Sequence, residues 1–398
     1  GGGVYEPDAF FDWCDAHGLM VWQDFMTGCT AYPQDDAYAK LTEEEVRQVV
    51  VEFRNHASLV LWSGNNENDN AISWYSFADH ARDCNHDRLS RKVIPDVLWE
   101  YDVTRPYLPS SPYWSPDVVA GRAEKPENHI WGFSGEYYKN KVITNSPAYF
   151  VSETGWHGCP NRAALERMMT KDCVYPWKQV KNGGKDPVGD FTFNDEWQYK
   201  ASNPFFDEND KWGMMRNYNM TCSVNALFGG VPQDLDDFIE ASQVVQAEGL
   251  KTLMELFRSK KFEGKNGLVW WNMRDGGPVI SDAVVDYWFG KKLAYRAIGN
   301  SQRDHVVVVR DDHRVFAVND TLAAIRGKVR IADRESGRVV LEKDYEVPAN
   351  GKTAVGRLEW TGRGILDIEY EAEGARHYNW FLYGEPPFDF KKVKEWMR

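Results

Sequence analysis

The stretch Ser58-Leu59-Val60-Leu61-Trp62-Ser63-Gly64-Asn65-Asn66-Glu67-Asn68 decides how the rest of the chain is interpreted. Its short apolar run, bounded by turn-forming residues, predicts a strand buried on both faces, as in a parallel sheet. The run then breaks off into a polar, glycine-containing end that carries one carboxylate, Glu67. At the carboxyl end of a barrel strand, this glutamate would lie where barrel enzymes keep their chemistry.

A second stretch repeats this design. The residues from Ala148 to Gly155 form an apolar run that is followed by Ser152, Glu153 and Gly155. Further strand-like runs near residues 20, 107, 130 and 269 alternate with helical patterns, the clearest of which are Leu41 to Phe53 and Asp234 to Lys260. This alternation predicts an α/β fold, either a parallel barrel or a doubly wound sheet. No GxGxxG or GxxxxGKS follows any strand, which disfavours a nucleotide-binding sheet.

Counting the strands places the two glutamates. Six strand units are visible, whereas a (β/α)8 TIM barrel has about eight. We therefore expect residues 1–300 to form a catalytic barrel that lacks its first two strand-helix units at the front. In that barrel Glu67 ends strand four and Glu153 ends strand seven, roughly facing each other across the mouth. A single glutamate in this position could equally be a solvated residue at a strand end without a catalytic role. The occurrence of two glutamates in matching contexts weakens that alternative.

The residues beyond Asn300 follow a different pattern. Strands of period two with short turns and no helices predict an antiparallel β-sandwich domain over residues 301–398, with hairpins around Ser336-Gly337 and around Gly374. Between the two regions, Cys173 to about Asn217 is a long polar and aromatic excursion. Such a segment is either a lid or subsite wall, or a decoration that braces the barrel.

Composition narrows the class of partner. The net charge of −13, without any Lys/Arg block, disfavours nucleic acid and anionic membranes. There is no apolar run of about 18 residues that would span a membrane.

The six cysteines have no CxxC spacing, so we expect neither a zinc site nor a disulfide framework. The 17 tryptophans provide flat faces on which sugars stack, with core packing as the alternative for each ring. No targeting segment is visible at the start of the chain, and the compartment stays open.

Two carboxylates on opposite sides of one pocket are what glycoside hydrolysis requires. One protonates the leaving oxygen while the other stabilises or attacks the anomeric carbon. The expected partner is therefore a glycoside or oligosaccharide, with no metal and no organic cofactor.

Five stretches of the sequence form recognisable motifs: Gly1–Glu6, Val21–Phe25, Arg54–His56, Leu61–Asn68 and Phe150–Trp156. Together they resemble the motifs of glycoside hydrolase family 2, in particular its β-mannosidase-like branch. The resemblance covers about residues 1–300 and is only architectural over the C-terminal sandwich.

This resemblance implies a retaining double displacement in which Glu67 is the general acid/base and Glu153 the nucleophile, with carboxyl groups about 5 Å apart. It also implies that Asn66 binds the 2-hydroxyl of the sugar, that Asp24 binds another hydroxyl, and that Trp271 stacks under the sugar ring.

Other site residues have two interpretations. Trp74 and Trp156 are either pocket walls or packing residues. Tyr137 or Tyr138 would be the tyrosine that the family places near the nucleophile, although Gly132–Gly135 departs from the Trp-His-Gly pattern of the branch. His157 is either a contact on the leaving-group side or a core histidine, and we favour the core.

We expect a retaining exo-glycosidase that removes terminal β-linked sugars, above all β-D-mannose. A β-galactosidase, β-glucuronidase or glucosaminidase preference is the alternative within the family. The alternative outside enzymes is a catalytically silent, carbohydrate-binding or structural fragment, because family members carry further domains in front of the barrel. An open barrel would leave strand edges that favour pairing with a second copy, so a homo-oligomer is left open.

Overall fold

Parallel strands with helices packed on them build the first part of the chain. The computed structural model describes residues 3–74, 83–131, 145–187, 189–201 and 216–397, without the side chains of residues 72–74. Two units are formed. The first unit comprises Gly1–His129 and Pro147–Ser152, and the second unit comprises Ile130–Ser146 and Glu153–Arg398.

The first unit contains a parallel sheet of β1 (Val21–Asp24), β2 (Leu59–Ser63) and β3 (Tyr107–Leu108), in that order. The predicted parallel arrangement of these strands is confirmed. The strands β4 (Glu127–His129) and β5 (Phe150–Glu153) are neighbours in a separate sheet. The helices of this unit are α1 (Asp8–His17), α2 (Asp36–Phe53), α3 (Asn68–Trp74), α4 (Ile94–Tyr101), which continues a π-helical turn at Leu89–Val93, and α5 (Pro116–Val119).

Helix α2 illustrates why the sequence forms these elements. The Asp35 carboxylate caps its N-terminus by accepting a hydrogen bond from the Tyr38 N–H at 2.9 Å. Val46, Val50 and Phe53, spaced four and three residues apart, form the buried stripe of an amphipathic helix. This stripe packs in one core with Leu59 and Trp62 of β2 and with apolar residues of α1 and α4.

Strand β2 departs from the prediction of burial on both faces. Leu59 and Trp62 are buried, but Val60 is 39% exposed. The pairing with β1 is irregular at this point, since Leu59 faces Val21 and Leu61 already faces Trp22. An extra residue of this kind is a β-bulge, which turns its side chain out of the regular alternation.

The second unit begins with helices and a hairpin. The strands β6 (Trp177–Val180) and β7 (Phe191–Phe193) pair in antiparallel fashion, and β8 (Gly267–Leu268) is a short strand further along. The helices are α6 (Arg162–Met168), α7 (Asp195–Lys200), α8 (Arg216–Phe228), α9 (Leu235–Ser259), α10 (Leu293–Ser301) and α11 (Phe390–Met397). The predicted long helix is confirmed as α9.

The described part of the aromatic excursion packs inward. Trp177, Phe191, Phe193 and Trp197 are buried and contact one another, and Trp177 also contacts Phe238 of α9. This arrangement favours the interpretation as a brace for residues 173–201. Residues 202–215 lie outside the described residues.

Two antiparallel sheets that share one core form the end of the second unit. One sheet has the order β13-β10-β9 and the other the order β12-β11-β14-β15. Their strands are β9 (His305–Val309), β10 (Arg314–Asn319), β11 (Ile325–Asp333), β12 (Val339–Val347), β13 (Gly351–Arg357), β14 (Gly364–Ala372) and β15 (Ala375–Tyr383). Apolar side chains from both sheets fill a single cluster, as in a β-sandwich.

Both predicted hairpins are confirmed. In the first, Ile331 faces Leu341 and the turn contains Gly337 with φ of 68°. In the second, Ile365 faces Leu382 and the turn contains Gly374 with φ of 79°. The domain boundary at residue 300 stays a prediction. Among the described helices, none is long and apolar enough to cross a bilayer.

Candidate active site

The backbone after β2 extends the sheet and fixes the position of Glu67. The Asn66 N–H donates to the Thr27 carbonyl at 3.0 Å, and the Asn66 carbonyl accepts from the Cys29 N–H at 2.8 Å. On the other side, the Glu67 N–H donates to the Ser111 carbonyl at 2.7 Å. Glu67 itself has a φ of 63°, in the left-handed region. The loops after β1 and β3 therefore hold this residue from two sides.

The Glu67 side chain is buried among polar partners. The residue is 9% exposed. Its Oε1 lies 2.7 Å from Nδ1 of His129, and its Oε2 accepts a hydrogen bond from the Cys29 thiol at 3.5 Å. The Asn66 side-chain amide donates to the same sulfur, also at 3.5 Å. Cys29 is thus hydrogen-bonded both to Glu67, the predicted acid/base, and to Asn66, the residue predicted to bind the sugar.

A second buried carboxylate lies behind His129. The His129 Nε2 is 3.1 Å from the Ser111 hydroxyl, which donates to Glu127 Oε1 at 2.8 Å. The Ser152 hydroxyl donates to the same oxygen, and the Tyr113 N–H donates to Oε2 at 3.3 Å. Burial raises the pKa of Glu127, while the hydrogen bonds from Ser111 and the Tyr113 N–H and the nearby His129 oppose the rise.

Asp24 also ends a strand in the first unit. It is the last residue of β1, is 8% exposed, and accepts a hydrogen bond from the Trp22 indole at 2.9 Å. Its register partner is Ser63, the last residue of β2. Asp24 and Glu67 are therefore carried by the same end of neighbouring strands.

Glu153 is the corresponding residue of β5. Its carboxylate accepts a hydrogen bond from the Trp131 indole at 3.0 Å. Trp271 is joined to the same segment, because its N–H donates to the Thr154 carbonyl at 2.6 Å, and its side chain stays 37% exposed. Gly155 permits this arrangement, since a Cβ there would lie 2.6 Å from the Trp131 ring and 2.8 Å from the Trp271 carbonyl oxygen. The second unit thus assembles Glu153 with two tryptophans, one of them the predicted Trp271.

Trp156 is buried against helix α9. It is 2% exposed, and a Cβ on Gly249 of α9 would lie 2.6 Å from its ring. His157 is buried as well and lies 3.4 Å from the Asp282 carboxylate, which also receives the Arg216 guanidinium at 3.2 Å. Burial lowers the pKa of His157 and so favours its neutral form. Both contacts favour the core interpretation of these two residues.

Three predicted positions cannot be placed. The side chain of Trp74 and the whole of Tyr137 and Tyr138 lie outside the described residues.

Several polar residues of the site were not predicted as such. They are Cys29, Ser111, Glu127, His129 and Trp131. The available signal was the weak strand around His129-Ile130-Trp131, whose polar and aromatic residues alternate where a barrel strand would end.

One other cluster of the first unit resembles a metal site. Ligand atoms of Asp12, Asp15 and His56 lie within 4.8 Å of one another. The Asp15 carboxylate already accepts hydrogen bonds from the Ser58 N–H at 2.6 Å, and it lies 2.8 Å from His56 Nδ1. These contacts account for the positions of Asp15 and His56, and we assign no metal to the cluster.

Comparison with known proteins shows which family the first part of the chain resembles. Residues 6–103 match the TIM barrel domain of glycosyl hydrolases family 2. In this region the chain is similar to the family 2 glycoside hydrolases. The resemblance stated from the motifs, and the TIM barrel that it implied, are thereby confirmed.

Individual relatives agree with this family. The chain is 29% identical over 362 residues to β-mannosidase B from Thermothelomyces thermophilus, which covers 81% of this chain and 39% of the relative. It is 28% identical over 312 residues to bovine β-mannosidase, covering 72% of this chain and 32% of the relative. The crystal structure of β-D-mannosidase from Dictyoglomus thermophilum superimposes with a TM-score of 0.78 at 27% identity, covering 98% of this chain and 45% of that structure. The chain therefore spans between 32% and 45% of the length of these relatives.

Proposed function

We propose that this chain carries the catalytic barrel of a retaining exo-β-glycosidase that removes terminal β-D-mannose from glycosides or oligosaccharides. The observation that carries the proposal is that Glu67, just beyond the end of β2, and Glu153, the last residue of β5, are each hydrogen-bonded to an aromatic side chain. Residues 6–103, which include Glu67, match the family 2 TIM barrel domain. Barrel enzymes keep their catalytic groups at such strand ends.

The proposed roles follow from the contacts of each carboxylate. Glu67, held against His129, acts as the general acid that protonates the leaving oxygen. Glu153, whose carboxylate accepts a hydrogen bond from the Trp131 indole, attacks the anomeric carbon. The glycosyl ester is then hydrolysed by water that Glu67 deprotonates. The reaction needs the two carboxyl groups about 5 Å apart in the active protein.

Binding roles are proposed for three further residues. Asn66 is next to the acid/base, and its amide donates to the Cys29 sulfur, so its carbonyl oxygen can accept a hydrogen bond from the sugar 2-hydroxyl. Asp24 ends the neighbouring strand and is proposed to accept from another hydroxyl. The exposed face of Trp271 is proposed to stack under the ring. The preference for mannose is supported by the β-mannosidases among the relatives.

The proposal is tested with 4-nitrophenyl β-glycosides of mannose, glucose, galactose, glucuronic acid and glucosamine. Both the 398-residue chain and an N-terminally extended version are assayed, because the relatives are longer. We expect the mannoside to be cleaved fastest, with β-mannose as the first product seen by NMR. Glu153→Ala should abolish turnover, and Glu67→Ala should lower it by roughly 10²- to 10⁴-fold for poor leaving groups.

Azide distinguishes the two roles. With Glu67→Ala it should give the β-mannosyl azide, because the covalent intermediate still forms, whereas with Glu153→Ala it should give the α-azide. The exposed Glu124→Ala and Glu166→Ala serve as matched controls that keep wild-type rates. An absence of turnover by either version, turnover unaffected by Glu153→Ala, or α-mannose as first product would contradict the proposal.

A further inference from the structure

A chain of four hydrogen-bonded polar side chains runs through the first unit and ends at the candidate acid/base, Glu67. Glu127 accepts from the Ser111 hydroxyl at 2.8 Å, Ser111 lies 3.1 Å from His129 Nε2, and His129 Nδ1 lies 2.7 Å from Glu67 Oε1. All four residues are buried or half-buried. In such surroundings a hydrogen bond has a defined direction, because water does not compete for the donors.

The direction is set at Glu127. Its carboxylate accepts three hydrogen bonds, from the hydroxyls of Ser111 and Ser152 and from the Tyr113 N–H. A serine hydroxyl has one hydrogen, and here Ser111 gives it to Glu127. The Ser111 oxygen can then only accept from His129, so Nε2 of the ring carries a hydrogen. In the neutral imidazole, the lone pair is therefore on Nδ1 and faces Glu67.

This tautomer has a consequence for the acid/base. A carboxylate oxygen and a ring lone pair are both acceptors, and two acceptors 2.7 Å apart need a proton between them. The Glu67–His129 pair thus holds one proton more than a carboxylate facing a neutral Nδ1 would. The number of protons on the pair is the same whether this proton is assigned to the Glu67 carboxyl group or to the His129 ring.

We propose that Glu127 and Ser111 are positioning residues that fix His129 as the Nε2–H tautomer and thereby keep one proton on the Glu67–His129 pair. This inference rests on the proposed function of Glu67. In the first step the pair gives its proton to the glycosidic oxygen, and in the second step it recovers one from the attacking water. The pair therefore ends each turnover with the proton that it had at the start.

Glu127→Gln reverses the direction of the chain. The Tyr113 N–H is a backbone donor, so the glutamine oxygen must face it, which places the amide NH2 against Ser111 and Ser152. The NH2 then donates to Ser111, Ser111 donates to His129 Nε2, and the ring becomes the Nδ1–H tautomer. This ring donates to an ionised Glu67, so the pair carries one proton fewer.

The first readout is the ¹⁵N NMR spectrum of the histidine-labelled protein, with the signal of His129 assigned by its loss in His129→Gln. At pH 7 we expect hydrogen on Nε2 of His129 in the wild type and on Nδ1 in Glu127→Gln. Ser152→Ala is the matched control, because it removes a donor to Glu127 without touching His129, and it should leave the Nε2–H tautomer in place. This readout does not depend on activity.

The second readout is the dependence of kcat/KM on the leaving group. Because a poor leaving group needs the proton, Glu127→Gln should slow the phenyl β-mannoside by about tenfold or more. The 2,4-dinitrophenyl β-mannoside, which leaves without a proton, should stay within about threefold. Glu124→Gln, the same substitution at an exposed site just before β4, should alter neither rate.

The possible failures are separable. The inference is overturned if His129 keeps the Nε2–H tautomer in Glu127→Gln, or if both leaving groups slow equally in that variant. If the wild type cleaves no glycoside while the tautomer still switches, the arrangement of the proton stands and the proposed function falls.

Discussion

The backbone of Glu67 is the residue-scale feature that places the candidate acid/base. With φ of 63°, Glu67 occupies a conformation that costs a non-glycine residue on the order of 1 kcal/mol or more. The hydrogen bonds of Asn66 and Glu67 to the neighbouring loops hold it there. Strain of this kind is typically kept where the side chain has a function, because a more relaxed backbone would aim the carboxylate elsewhere.

This strain predicts an unusual order of stabilities. Asparagine tolerates the left-handed region better than alanine, so Glu67→Asn should be more stable than Glu67→Ala by about 0.5–1 kcal/mol. Both variants lose the contact with His129, which therefore cancels in the comparison. The measurement is the free energy of unfolding in urea. At Glu124, which is exposed and has no positive φ, asparagine should bring no advantage over alanine, and equal ranking at both sites would contradict the prediction.

At the residue scale, the sequence was informative where a side chain ends a strand. Glu67 and Glu153 were predicted from the apolar runs that precede them, and Asp24 from its place after Trp22 and Gln23. His129 was missed because its strand is only three residues long and its partner Glu67 is 62 positions away. A contact between such distant positions leaves no periodic signal in one sequence.

Helix α9 is the element that joins the helical part of the second unit to the sandwich. Glu248, Lys251 and Glu255 lie on one buried face of the helix. Glu248 accepts from the Trp380 indole at 2.5 Å, and Glu255 accepts from the Asn379 amide at 2.9 Å, both from β15. Lys251 donates to Glu255 at 2.8 Å, with both side chains less than 5% exposed. This ion pair is thus shielded from solvent.

The two partners of this pair should be strongly coupled. Lys251→Met leaves the Glu255 charge buried without its cation and should cost about 3–5 kcal/mol of unfolding free energy, whereas adding Glu255→Gln should restore much of the loss. A double-mutant cycle measured by urea unfolding should therefore give a coupling of roughly 2 kcal/mol or more.

The control pair is Lys92 and Asp96, which has the same spacing and the same 2.8 Å distance but side chains that are 68% and 64% exposed. Its coupling should not exceed about 0.5 kcal/mol. Similar couplings for the two pairs would refute the role of burial.

Elements were predictable where apolar residues follow a period. The buried stripes of α2 and α9 and the alternating strands of the sandwich gave this signal. Helix α8 was missed, because its buried face includes the polar residues Asn217, Thr221 and Ser223 and so has no apolar period. The bulge in β2 was missed for a related reason, since Val60 is apolar although it is exposed.

At the scale of the molecule, the β-sandwich at the end of the chain is hydrogen-bonded to helix α9, which precedes it in the sequence. Lys352 of β13 donates to the Ser259 carbonyl at the end of α9 at 2.8 Å, and Arg258 lies 2.7 Å from Asp320. Together with the contacts of β15, these bonds cross the sequence position at which we predicted the domain boundary. The predicted boundary therefore separates a helical from a strand-like sequence pattern. We expect the segments on its two sides to unfold together as one cooperative unit.

Residues 235–259 and residues 375–383 should consequently lose protection together. The measurement is hydrogen exchange followed by mass spectrometry at increasing urea, since elements that open as one cooperative unit exchange at one midpoint. The physical reason is that each segment buries polar and apolar groups of the other. Sandwich peptides that remain protected where α9 has fully exchanged would show independent domains.

The bulge at Val60 gives the first unit a tolerance for changes of chain length. Leu59 and Leu61 face consecutive residues of β1, so Val60 has no counterpart in the pairing. Deleting it would leave a regular ladder in which Leu61, Trp62 and Ser63 keep their partners, and Glu67 would stay where it is. A gene could thus gain or lose this codon without moving the carboxylate, whereas a deletion anywhere between Leu61 and Glu67 would shift it.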